Sequence, residues 1–274
     1  MEWKRILAPL TGGEADAEVL AASAAIAAPF EAELAAVHVP ADLAELMPWL
    51  GDSLMGGVQS AAIEGIRDAA VQGAAAARRR CEACGYHQAR FTALSSPIGE
   101  ALATESRLSD LVVFDEAASR GRGPLAEAFR HILLGEQRPV IVAKRPGPGA
   151  RLVGGIAALA WDGGKEASRA MRTALPLLAR AAKVVAIGAA NASDRRFDLE
   201  ALARFLGLRG IACEIERIAA TGDAGPALLA ATKAAGADVL VAGAFGHARL
   251  REYILGGTTR TFLSHEGPSL FLSH

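Results

Sequence analysis

Cysteine is scarce in this chain. Three in 274 residues do not make a disulfide scaffold. No apolar run reaches the length of a membrane span, and Glu2, Lys4 and Arg5 break any leader-like pattern at the start. Net charge is lacking too. The formal value is −1, which excludes bulk electrostatic attraction to nucleic acid or to acidic membranes. Several catalytic signatures are missing as well: there is no Walker A lysine pattern and no HExxH. The stretch "GDSLMGG" around Ser53 reads G-x-S-x-x-G, whereas a nucleophile elbow requires G-x-S-x-G. What is present is a chain that is 51% hydrophobic, rich in alanine and long enough for two domains, with the cytoplasm as its default location.

The chain reads as a repeat. Apolar strand-like runs occur at 4–10 (KRILAPL), 33–39 (ELAAVHV), 89–94 (ARFTAL), 110–114 (DLVVF) and 139–144 (PVIVAK). A Pro/Gly-rich linker, Arg145–Ala150, follows, and then the series restarts at 156–161 (IAALAW). It continues at 183–189 (KVVAIGA), 211–218 (IACEIERI), 238–244 (DVLVAGA) and 268–274 (PSLFLSH). "RILAPLTGGEADA" answers "IAALAWDGGKEAS", pairing Thr11 with Asp162, and "SDLVVFD" answers "ADVLVAG". The intervening segments have helical spacing, as in Ala167, Ala170, Met171, Ala174 and Leu178, with Pro176 expected to kink that helix or mark its late turn. Strands without clean alternation, separated by helices, predict α/β halves with parallel sheets covered on both faces. Two doubly wound, Rossmann-like sandwiches with strand order 3-2-1-4-5 are expected, over 1–145 and 152–274. Their final strands should pair antiparallel and so avoid an exposed apolar edge.

In such sheets a ligand sits beyond the carboxyl ends of the strands. One loop there stands out: "GAFGHARLREYILGGTTR", 243–260. Gly243 and Gly246 permit close backbone approach to a ligand. Gly256 and Gly257 lead into a helical pattern closed by Gly267-Pro268, and a helix start presents free N–H groups and a positive dipole end to a phosphate. Thr258 or Thr259 could cap that helix or offer a hydroxyl. Asp162 stands at the same sheet edge. It could bind ribose hydroxyls or a phosphate-bound cation, or serve only as a helix N-terminal aspartate. An isolated glycine pattern is more often mere packing at a turn.

This stretch, ending in PSLFLSH, resembles the signature of the universal stress protein family: glycine, two residues, glycine, nine residues, glycine, then serine or threonine. "AWDGGKEASRA" resembles that family's opening strand and aspartate. The resemblance covers essentially the whole chain, strongly in 152–274 and weakly in 1–145, and the repeat suggests a tandem member. It implies five parallel strands per unit and ATP, alone or with Mg, as ligand. It also implies a nucleotide-responsive stress-response module. No residue set supplies a general base with a positioned water, so weak ATPase activity at most is expected. Gly243, Gly246 and Gly256 match the family's glycines and Asp162 its aspartate; Ala189 matches a position whose backbone lies near adenine. Gly257 departs, standing where serine or threonine is usual. The resemblance implies an intrachain pseudo-dimer of the two halves, alone or within a homodimer. The first half departs further, with Thr11 for the aspartate and Asp115 and Ala118 for the paired glycines, so one nucleotide per chain is expected. The alternative is a nucleotide-free interaction module with a vestigial glycine loop.

Other constellations carry less. Cys81 and Cys84, with His87, are spaced as CxxC, but Gly85 puts the pair at a helix C-terminus, where the dipole opposes a thiolate. Ordinary half-buried thiols are the expectation, and no metal ligands or catalytic residues are assigned. His38 lies within an apolar strand and is expected to be structural. His247, Arg249 and Arg251 could reach phosphates or be a solvated arm. The connection 41–57 is apolar and needs cover.

Overall fold

The computed structural model describes residues 2–40, 56–94, 97–144, 151–189, 198–219, 223–244, 257–264 and 266–274, without side-chain detail for 56–63 and 189. Most of the apolar connection 41–57, the linker 145–150, Gly246, Gly256 and the basic loop residues lie outside them. The chain divides into two compact units, Lys4–Glu136 and Gln137–His274, the latter including residues 1–3. Among the described residues no helix is long and apolar enough to cross a membrane.

The first unit holds β1 (Arg5–Leu10), α1 (Asp16–Ala27), β2 (Glu33–His38), α2 (Gly56–Ala83), β3 (Ala89–Ala93), α3 (Ile98–Ser106) and β4 (Leu111–Phe114). Two short helices follow, α4 (Glu116–Ser119) and α5 (Ala126–Arg130), the second running into a π-helical turn, His131–Gly135. The strands are parallel in the order β3-β2-β1-β4.

The second unit holds β5 (Val140–Val142), β6 (Ile156–Ala160), α6 (Lys165–Thr173), α7 (Leu175–Leu178), β7 (Lys183–Ala189) and α8 (Leu199–Gly207). Then come β8 (Glu214–Ile218), α9 (Gly225–Ala234), β9 (Val239–Gly243), α10 (Gly257–Ser264) and β10 (Ser269–Ser273). Its order is β5-β10-β9-β6-β7-β8, parallel except that β5 runs antiparallel to β10, with Ile141 opposite Phe271. The expected helix over 165–183 is broken at Ala174, and Pro176 sits in the first turn of α7, where its missing N–H costs nothing.

Both cores follow from the continuous apolar strands. All of LVVF in β4 and all of SLFLS in β10 are buried, as parallel strands covered on both faces must be. Phe114 and Phe129 meet edge to face at 5.4 Å in the first unit. The outermost strands, β3 and β8, are instead half-exposed and carry charge (ARFTA, EIERI), which blunts further pairing.

The internal repeat appears in hydrogen bonding at atomic detail. Asp110, just before β4, accepts from the backbone amides of Lys4 and Arg5 at 2.6 and 3.0 Å. Asp238, just before β9, accepts from Ile156 and Arg151 amides at 2.7 and 3.2 Å. In both units the aspartate's own amide returns a bond to the first strand, Asp110 to Arg5 O and Asp238 to Ile156 O, each 2.8 Å. The registers agree: Ile6 lies opposite Leu111 as Ala157 lies opposite Val239. Removing either carboxylate strands two amides at a sheet edge. Asp238→Ala is therefore expected to lower the stability of its unit by about 1–3 kcal/mol, and urea denaturation should show it. Asp110→Ala should do the same in the first unit.

Candidate functional site

The carboxyl edge of β6 turns through Trp161, Asp162, Gly163 and Gly164 into α6. Gly163 has φ +72°, a left-handed conformation that glycine adopts freely. Asp162 is exposed, and its Oδ1 accepts from the Gly164 amide at 2.7 Å. The aspartate therefore does what a helix-entry aspartate does, while remaining open to solvent.

Gly243 ends β9, the neighbour of β6. A Cβ there would lie 2.6 Å from Ala167 N and 2.6 Å from Glu166 C. The first turn of α6 thus rests on Gly243, and glycine is required by packing whatever else it does. Ala189 ends β7, opposite Ile218 of β8. The backbone just before it is equally tight, since a Cβ on Gly188 would lie 2.9 Å from Trp161 O.

Gly257 and Thr258 open α10, and here the structure shows a residue that sequence reasoning missed. Asp223 Oδ1 accepts from Gly225 N and from Thr258 Oγ1, both at 2.9 Å. A Cβ on Gly257 would stand 3.1 Å from Asp223 Oδ2. Thr259 is buried, so its side chain faces the core. At the other end of α10, the buried Lys144 ammonium donates to Phe262 O at 3.0 Å. An anion at the start and a cation at the end complement the helix dipole. The signal for Asp223 was its place before Gly225-Pro226, a helix-start pattern; its reach to a second helix was not visible in sequence. Gly246 and Gly256 lie outside the described residues. Among the described residues no group of three or more His, Cys, Asp or Glu could hold a metal ion.

The matching edge of the first unit is closed from within. Thr11 stands where the second half has Asp162, and a different aspartate serves the turn. Asp16, 2% exposed, accepts from Thr11 N (2.8 Å), Thr11 Oγ1 (3.0 Å) and Gly12 N (2.8 Å). Gly12 has φ +82°, and a Cβ on it would meet Gly73 Cα of α2 at 2.6 Å. Arg80, also on α2, donates to Gly12 O at 2.9 Å. A Cβ on Gly73 would stand 3.2 Å from His38 Nε2, so α2 covers the end of β2 as well. Asp115 caps α4 and accepts from Ala118 N at 2.9 Å.

A cavity of about 390 Å³ in this unit lies between α3 and the α5 segment, lined by Pro97, Ile98, Arg107, Pro124 and His131 among others. Arg107 there is paired bidentately with Glu136 at 2.9 and 2.8 Å. The cysteines behave as structural thiols: α2 ends at Ala83, Gly85 has φ +69°, and burial pushes the Cys81 thiol up to about 11.

His38 is 1% exposed, and its Nδ1 has no hydrogen-bond partner among the described residues. Burial lowers its pKa from the ordinary 6.5, against the opposing pull of Asp16 and the Thr11 backbone. The folded state therefore keeps His38 neutral where the unfolded chain takes up a proton. Its contribution to stability is complete above the ordinary value of 6.5 and is lost as pH falls from there through the lowered folded value. Urea unfolding at about pH 8 and about pH 5.5 should show an acid loss that shrinks in His38→Gln.

Neither a protein-family model nor a curated protein matches the sequence. Solved structures do resemble the fold. A universal stress protein from Archaeoglobus fulgidus DSM 4304 superposes with TM-score 0.71 at 18% identity, over 99% of this chain and 96% of its own. A protein from Pseudomonas aeruginosa UCBPP-PA14, provisionally called a universal stress protein, gives TM-score 0.58 at 16% identity over 99% and 93%. A functionally unknown protein from Pseudomonas aeruginosa PAO1 gives 0.59 at 15% over 99% and 92%. The chain has the universal stress protein fold, a mixed α/β architecture built on mainly parallel sheet.

Proposed function

We propose that this chain, having the universal stress protein fold, is a tandem member of that family and binds one adenine nucleotide, in 152–274. On this reading it is a cytoplasmic, nucleotide-responsive regulatory module, with the two halves related as a pseudo-dimer. The carrying observation is the coincidence of motif and edge. The glycine pattern Gly243, Gly246, Gly256 opens at the carboxyl end of β9, beside the exposed Asp162 at the end of β6, the neighbouring strand. Asp162 would hold ribose hydroxyls or a phosphate-bound Mg, and the backbone at Ala189 would face the base. The glycine loop, with the Gly257 amide, would take the phosphates. In the first half, the Asp115 carboxylate already uses the amide of Ala118, which stands where the second half has Gly246.

The residues fit the ribose end of a nucleotide better than the phosphate end, where the Thr258 hydroxyl is engaged by Asp223. That contact, with the packing requirement at Gly243, favours the second reading, a nucleotide-free interaction module in which the glycine loop is vestigial.

Identifying the ligand that copurifies with the protein, by denaturing extraction and mass spectrometry, separates the two readings. Calorimetric titration with adenine nucleotides should give a single site; two equal sites would refute the closed first half. Gly246→Val should abolish binding while the melting transition survives, because a branched side chain would occupy phosphate space. Asp162→Asn retains an acceptor for Gly164 N but loses the charge, and should weaken binding by about tenfold. Unchanged affinity in both variants would move the nucleotide away from the glycine loop and Asp162, and no binding by the wild type would support the nucleotide-free reading.

A further inference from the structure

We propose that the C-terminal end of α8 is a docking surface for an acidic, amphipathic segment of a partner protein. The partner's carboxylates meet Arg172, Arg204 and Arg209, and its apolar side chains meet Leu208 and Phe205. This surface is independent of the nucleotide reading above.

Two guanidinium groups converge on one ring. Arg209 lies 3.6 Å from the centroid of Phe205, and Arg172, arriving from α6, lies 4.9 Å from it. Phe205 is half-buried and stands beside the stripe Leu199, Leu202 and Leu206 that α8 turns to the core. Stacking engages the face of a guanidinium and leaves the N–H fork at its edge for other partners. Arg209 gives one of these donors to Phe205 O at 3.0 Å. The exposed Arg204 and Leu208 are four residues apart and share a helix face. None of the three arginines has a carboxylate partner among the described residues. The acids of α8 are engaged elsewhere: Asp198 caps the helix through Ala201 N at 2.8 Å, and Glu200 pairs with Arg217.

The patch sits on a fixed turn. Ile211 N donates to Leu206 O at 3.1 Å and Gly210 N to Gly207 O at 3.0 Å, while Gly210 has φ +73°. This is a Schellman closure, completed by the buried Ile211 and Leu206. Leu208 lies within it and is nonetheless 80% exposed. A partner docking on a backbone already held in place has less disorder to remove. The helix dipole favours cations at this end, which accounts for Arg204 and Arg209. It does not account for Leu208, nor for Arg172, which comes from another helix. The chain as a whole carries a net charge of −1, so three unpaired cations form a local feature and not part of a basic surface. Arginine and aromatic side chains are the groups enriched at the centres of protein interfaces, and the arginine fork matches a carboxylate bidentately. The apolar component decides the partner's class. A nucleic-acid backbone would use the arginines and leave Leu208 in water, whereas an amphipathic acidic segment uses both.

The test is fluorescence anisotropy of the full chain with a short labelled peptide in which glutamates flank leucines. The wild type should bind it, and more weakly as salt rises. Arg204→Gln combined with Arg209→Gln should weaken binding by about tenfold, and Leu208→Ser by several-fold. Arg209→Lys keeps the charge and loses the planar stack, so it should fall between wild type and Arg209→Gln. A peptide with glycine for leucine should bind more weakly, and one with lysine for glutamate should not bind. Leu208→Ser alters only an exposed side chain, so this arm and the peptide controls stand even where an arginine variant fails to fold. No binding by the wild type, or binding unmoved by both the arginine and the Leu208 substitutions, overturns the proposal. So does a single-stranded oligonucleotide that binds more tightly than the peptide and displaces it, which would make the partner a nucleic acid.

Discussion

A parallel sheet buried on both faces hides its side chains but leaves backbone amides without ladder partners where each strand enters and leaves. An amide stranded there costs about 1–3 kcal/mol. In this chain aspartates answer that demand again and again. Asp110 and Asp238 do so at the amino edges of the two units; Asp16, Asp115 and Asp162 do so at the carboxyl edges. A carboxylate is the natural choice because it accepts several bonds at once and binds amides more strongly than a neutral acceptor. The choice has a functional consequence. The amides that aspartates satisfy are of the same kind that would otherwise turn toward an external anion.

The two halves differ in where that carboxylate stands. In the second, Asp162 sits at the strand end and remains exposed. In the first, the strand end is Thr11 and the acceptor has moved into α1, where Asp16 is buried under three donors. The shift closes the edge, and α2 seals it through the Gly12–Gly73 approach. His38 completes the seal. Its counterpart in the second half is Gly188, whose missing side chain lets the Trp161 carbonyl come close. One edge is thus filled by a buried imidazole and a helix, the other kept narrow by glycines.

Much of this was legible in the sequence because it depends on local pattern. The restarting strand series, the continuous apolar runs and the match of "SDLVVFD" to "ADVLVAG" all have direct structural counterparts, down to the paired Asp110 and Asp238 contacts. Pro176 broke its helix as proline chemistry requires. What could not be read was anything set by contacts distant in sequence. Gly243 was picked out for its place in a motif, and the packing of α6 against its Cβ space was not visible. Thr258 looked available, yet its hydroxyl belongs to a carboxylate 35 residues away. Asp16 belongs to no motif, yet it is buried under three donors. In each case the residue type was informative and the partner was not, because spacing along a helix or strand says nothing about which other element packs there.

The state of α10 limits how a ligand could act through this fold. Its start is anchored by Asp223 and its end by Lys144, so both ends of the helix have partners within the chain. A ligand shifts a conformational equilibrium only by the difference between its affinities for the two states. For a ligand at the start of α10, that difference would include exchanging the Asp223 hydrogen bonds for its own, and would depend on how firmly Thr258 and Gly225 hold Asp223.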